Sequence, residues 1–187
     1  MSRQYWQELI SWAVADGTAI ANSVTETIIF PNVTIPANYM QDGRVLRITA
    51  YGRHSTAAAT TPTLTFRLRW GGVAGTQLAA TGAMVTGSGV TAAMWKIELM
   101  VQVRANGASG SLFVVGNARL GEDATSTVGS ATNAGAEDLM GSAGVATPAA
   151  VTVDLTADTA LSITAQWGTA SASNTLTGHT YHIESLN

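Results

Sequence analysis

Apolar and polar residues alternate at period two in three long segments of the chain, shorter strand-like runs lie between them, and Gly, Ser, Thr and Asn punctuate the joins. These observations predict an all-β protein: an antiparallel, jelly-roll-like β-sandwich of about eight strands, preceded by a short N-terminal arm. Residues 63–70 carry the pattern most cleanly, with Leu64, Phe66, Leu68 and Trp70 on one face and Thr63, Thr65, Arg67 and Arg69 on the other. Residues 92–104 repeat it, with Ala93, Trp95, Ile97, Leu99, Val101 and Val103 against Met94, Lys96, Glu98, Met100, Gln102 and Arg104. Residues 161–167 set Leu161, Ile163, Ala165 and Trp167 against Ser162, Thr164 and Gln166. One face buried and one accessible is the mark of an antiparallel sheet. Further strands are expected at 27–35, 44–51, 74–80, 111–119, 151–155 and 178–185, with Pro31 and Pro36 bending the first of these or holding it at a sheet edge.

Two stretches depart from this pattern. In residues 1–17, Tyr5, Trp6, Leu9, Ile10, Trp12 and Ala13 recur at helix-like intervals, and Asp16-Gly17 supplies a stop or turn. The apolar stripe caps the chain's own sandwich or docks on a neighbouring subunit; in the second case Tyr5, Trp6, Leu9, Ile10 and Trp12 are the partner-binding residues. Residues 121–150 are small, polar and Gly-rich, and read as a long loop excursion. The expected organisation is therefore an arm at 1–17 and one β-sandwich domain at 18–187 that carries this excursion.

Charged residues make up only 11% of the 187, against roughly 25% in average usage, while hydrophobic residues stand at 46%. A surface covered by Thr, Ser, Ala, Gly and Asn desolvates easily and suits lasting contact with neighbours. The net charge of −3 and a single lysine, Lys96, argue against counterion-release binding to nucleic acid, since the arginines fall inside strand patterns. Cysteine is absent, so there is no disulfide framework and no thiolate chemistry. No run approaches the ~18 apolar residues of a spanning helix, so no membrane contact is expected. The N-terminus carries Glu8 within its apolar stretch and does not read as a secretory signal.

Catalysis needs convergent polar groups, and none is legible. His179 and His182 have opposite parity in an expected strand and should face opposite ways, while His54 falls in a Thr/Ala-rich turn. Glu122-Asp123 and Glu137-Asp138 lie in the excursion, without the ligand spacing of a calcium loop. Trp70, Trp95 and Trp167 fall on apolar faces, which assigns them to the core and not to a sugar platform. No nucleophile-elbow, phosphate-loop, dinucleotide or zinc-helix motif is present. The expectation is a non-enzymatic protein with no catalytic residue, no metal and no cofactor.

The order of segments carries a resemblance. The run 24–38 (VTETIIFPNVTIPAN) is followed by 43–52 (GRVLRITAYG), 63–72 (TLTFRLRWGG), the Trp95 strand and 152–174 (TVDLTADTALSITAQWGTASASN). This string resembles β-rich virion structural proteins of tailed bacteriophages, the group of jelly-roll capsid decoration (cement) proteins and some tail or fibre modules, across residues 24–185. The resemblance implies a virion component on the capsid exterior, assembled in the cytoplasm of the bacterial host. It also implies a homotrimer that binds the major capsid protein and stabilises capsomer junctions, without cofactors. The alternatives are a tail- or fibre-associated host-binding module, and a carbohydrate-binding jelly-roll domain.

Overall fold

The computed structural model describes residues 7–58, 60–121, 136–142 and 148–186. Among them every regular element is a strand and every pairing is antiparallel. One sheet contains β1 (Glu8–Trp12), β14 (Thr175–Ser185), β5 (Val45–Ser55), β9 (Ala93–Ala105) and β10 (Gly110–Leu120), in that spatial order. The other contains β7 (Thr76–Ala80), β6 (Thr63–Trp70) and β13 (Thr159–Trp167), with β3 (Thr27–Ile28) and β4 (Val33–Ile35) both paired to β13. Short pieces β2 (Ile20–Ala21) and β8 (Met84–Val85) extend β14 and β6. The strand that follows β5 joins the opposite sheet, and β13 and β14 are split the same way: β5 pairs β14 while β6 pairs β13. Two antiparallel strand pairs rolled across two sheets make the jelly roll that the alternation predicts.

Alternation explains the core. The inward residues of 63–70, 92–104 and 161–167 named above are all buried, and Trp95 and Trp167 are among the largest side chains with almost no exposure. Phe66 of one sheet meets Trp95 of the other with ring centroids 5.3 Å apart, so the two apolar faces interdigitate. The indole N–H groups of Trp70, Trp95 and Trp167 donate to the carbonyls of Asp154, Thr177 and Ile20, which removes the cost of burying them. On β13 the outward Ser162 and Thr164 are buried as well, because the segment leading into β4 lies over them: Ser162 donates to Asn32, and Glu26 accepts from Thr164. Pro31 interrupts this covering segment and splits it into β3 and β4, the bent edge its prolines predict.

Three expectations need correction. Residues 8–12 form an edge strand and no helix: β1 pairs β14 from Ser185 to His182, with an irregularity between Leu9 and Ser11. That bulge scrambles the two-residue alternation into a spacing that resembles a helix. The free edge of β14 supplies backbone partners that a five-residue helix would lack. The excursion at 121–150 is not loop throughout, since β11 (Glu137–Gly141) pairs β10 and touches β7 at Gly141–Ala80, bridging the two sheets, and Ala150 opens β12 (Ala150–Val153), which also pairs β10. Residues 122–135, with Glu122 and Asp123, lie outside the described residues. The described strands number fourteen, because the excursion, the covering segment and the arm all contribute short ones.

Deleting residues 1–14 strips β1 from β14 and leaves the 181–185 stretch of that edge unpaired, while β2 and Gly17 still cover its start. The truncated chain is expected to fold but to self-associate in a concentration-dependent way, which size-exclusion chromatography over a dilution series will read.

Candidate functional site

The site begins with an irregularity in β14. Leu176 and Gly178 face inward before it, Tyr181 and Ile183 after it, and the register to β5 slips between Gly178 and Thr180. One extra residue, His179, is thereby turned outward. The parity argument that separates His179 from His182 fails for this reason: both lie on the outer side of β14, half-buried. They still share no partner, and no cluster of three or more metal-ligating side chains exists among the described residues.

His179 is held from two sides. The chain after β1 runs along β14, with Ala13 N–H donating to Tyr181 and Gly17 N–H to Gly178, the residue before the bulge. A Cβ at position 17 would overlap the Ile29 carbonyl oxygen, so glycine is required for this close passage. The Asp16-Gly17 turn thus brings the Asp16 carboxylate to 2.8 Å from His179 Nδ1. From the other side, Arg53 Nε–H donates to His179 Nε2 at 2.8 Å. An Nε2 that accepts leaves Nδ1–H as the ring's donor toward Asp16.

Around this relay lies a groove of about 310 Å³ at one end of the sandwich. Register places Thr175 opposite Ser55 and Thr177 opposite Arg53, so four polar side chains form a square beside the bulge. Ser55 Oγ accepts from Ala92 N–H, which leaves its own hydrogen free to donate. Arg53 is exposed, lines the groove and gives His179 only its Nε–H, so its two terminal nitrogens remain available to a ligand.

His54 lines the same groove and is 1% exposed. It belongs to β5, not to a turn as its Thr/Ala-rich surroundings suggest, and its Nδ1 has no hydrogen-bond partner. Burial lowers its pKa from 6.5 to about 4, only partly opposed by a hydrogen bond with the Ala93 backbone. Below about pH 6.5 the unfolded chain takes up a proton that the native chain refuses, so stability falls as pH drops from there toward 4. His54→Gln is expected to flatten that slope, a difference of about 1–2 kcal/mol near pH 5 in urea titrations.

An Asp–His pair beside hydroxyls resembles the geometry of nucleophile activation. Here the nitrogen that would act as base is occupied by Arg53, and neither Ser55 nor a threonine hydroxyl is bonded to it. What the groove presents is one guanidinium, bonded to His179, beside hydroxyl groups.

The residues expected in partner binding lie elsewhere. Leu9 and Trp12 are 49% and 55% exposed on β1, Ile10 packs against the core, and Tyr5 and Trp6 lie outside the described residues. Glu137 and Asp138 are satisfied within the fold, by Asn117 and Arg119 and by the Gly82 N–H. The groove itself went unread because its residues are far apart in the chain. The one local signal was a glycine inside a strand pattern, Gly178, which lies opposite a second, Gly52.

No protein-family model and no curated protein matches the chain. A solved structure, the CBM2 module of Lactobacillus casei BL23 phage J-1 evolved Dit, is similar over 97% of each chain at 12% sequence identity. Its TM-score of 0.36 is too low for the likeness to carry any argument.

Proposed function

We propose that this chain is a surface module of a tailed-phage virion that works by binding and not by catalysis, and that it faces the host as a tail- or fibre-associated part. The virion assignment rests on the resemblance across residues 24–185. The host-facing assignment rests on one observation, the open polar groove whose Arg53 fork is presented without a protein partner. A concave site suits a small ligand, whereas lasting contact between subunits is made through broad faces. No cofactor enters this reading.

A second reading has its own support. The outer face of the β14–β5–β9–β10 sheet exposes Met94, Met100 and Val115, with Leu139 on the neighbouring β11. Three ion pairs lie on that face, Arg47 with Glu184, Lys96 with Glu98 and Arg119 with Glu137, and Arg104 stacks over the Phe113 ring. Exposed apolar side chains interspersed with internally paired charges suit contact with a partner surface, as a homotrimeric decoration protein seated on the major capsid protein requires. An aromatic sugar platform built from the strand tryptophans has no such support, because Trp70, Trp95 and Trp167 are buried.

Locating the chain in purified particles separates the readings. Density or gold label at the tail is the expected result. Label at the three-fold or quasi-three-fold positions of the head overturns the host-facing reading in favour of cement, and absence from the particle overturns both.

A further inference from the structure

We propose that the groove binds a carboxylate-bearing, hydroxyl-rich small ligand of the hexuronate type, its carboxylate on the two free terminal nitrogens of Arg53. The proposal rests on the binding role given to the groove above and names its ligand.

Four features carry it. The volume of about 310 Å³ falls at the lower end of small-molecule sites, suited to a monosaccharide. The Arg53 guanidinium is oriented by its Nε–H bond to His179, which is itself held by Asp16, so the outward pair of N–H groups is fixed as a fork. A planar carboxylate meets such a fork with two parallel hydrogen bonds. Beside it, Ser55 has a free donor, and Thr175 and Thr177 add two more hydroxyls, which is the complement of ring hydroxyls.

Charge selects carboxylate over phosphate. The groove holds one arginine, no lysine and the Asp16 carboxylate. A monoanion is met by the single guanidinium, whereas a dianionic phosphate brings a second charge that no cation of the groove meets and feels twice the Asp16 repulsion. The extra outward residue in β14 fits this role, since bulges re-aim side chains at functional positions.

Sodium glucuronate, glucose and inorganic phosphate are to be titrated separately into the full-length protein, with backbone amide shifts followed by NMR. Glucuronate is expected to bind in the millimolar range and to move Arg53, Ser55, Thr175, Thr177 and His179, with glucose and phosphate at least tenfold weaker. Arg53→Gln is expected to weaken glucuronate about tenfold or more, and Arg53→Lys to recover only part, because the charge returns without the fork. Both variants change an exposed side chain and should melt with the parent protein. Equal binding of glucose, tighter binding of phosphate, shifts confined to other surfaces, or no response to any probe overturns the proposal. Because the titration uses the isolated chain, a head location in the particle would overturn the host-facing reading and leave this ligand assignment standing.

Discussion

Replacing Trp95 with alanine is expected to destabilise the protein by about 4 kcal/mol. Trp95 is fully buried between the sheets, with Phe66 at 5.3 Å and Phe30 at 6.4 Å between ring centroids. Its removal takes away apolar contact, leaves a cavity the two sheets cannot close, and strands the Thr177 carbonyl that accepts its indole N–H. For a domain of this size the melting temperature should fall by about 10 °C, measured calorimetrically. Trp95→Phe keeps most of the ring and should lose less than half as much. Gly52 gives a second approach to the same contact. Its absent side chain leaves room for the indole, and a Cβ would overlap the Thr177 carbonyl oxygen and lie 2.7 Å from Trp95 ring atoms. Gly52→Ala is therefore expected to destabilise in the same sense. A loss under about 1 kcal/mol for Trp95→Ala would contradict the packing described, since full burial of so large a side chain cannot be lost that cheaply.

The second large effect is at Glu26. This carboxylate lies over the outer side of the β6–β13 sheet and accepts from Arg69 Nε and Nη2, both at 2.7 Å, and from Thr164 Oγ1 at 2.6 Å. Arg67 Nη1 is 3.3 Å away and has no hydrogen bond of its own. Glu26→Ala leaves two largely covered guanidinium groups without their counter-charge and uncovers Thr164. The expected loss is about 3 kcal/mol, at the low end for a buried pair because all three side chains keep some exposure, 14% to 18%. Burial alone would raise the Glu26 pKa; the Arg69 and Thr164 hydrogen bonds and the two arginine charges outweigh it and hold the value below 4.5. With the folded value depressed, this stabilisation is present above about pH 4.5 and is lost as pH falls through the folded value. Glu26→Gln should therefore weaken the protein at neutral pH and remove part of its loss of stability in acid, read from urea midpoints across a pH series. The His54 effect begins near pH 6.5 and the Glu26 effect only below about pH 4.5, so above that value the pH slope is altered by the His54 substitution alone.

These residues also mark how far the chain could be read without its structure. Trp95, Phe66 and Leu68 announce their places because a two-residue repeat on a half-buried strand ties side-chain type to face directly. The long strands and the jelly-roll class follow from that repeat. Glu26 was silent, since the covering segment carries little repeat and its partners Arg69 and Thr164 lie on strands distant in sequence. The bulges at Ile10 and His179 did more than hide: each shifts the parity on which a strand pattern depends, which gives β1 a helical pattern and puts His179 and His182 on one face where parity sets them apart. The groove combines both difficulties, because Asp16, Arg53 and Thr175 meet only through a long-range register and His179 joins them only through a bulge. Its local trace was two facing glycines, Gly52 and Gly178.

The most direct test of the binding reading is competition for adsorption. Purified protein is mixed with host cells before the phage that carries the chain is added, and unadsorbed phage is counted. The account predicts that the wild-type protein slows adsorption in a dose-dependent way and that Arg53→Gln, equally stable, does so much less. Wild-type protein that leaves adsorption unchanged while binding purified heads would contradict the account and assign the chain to the capsid.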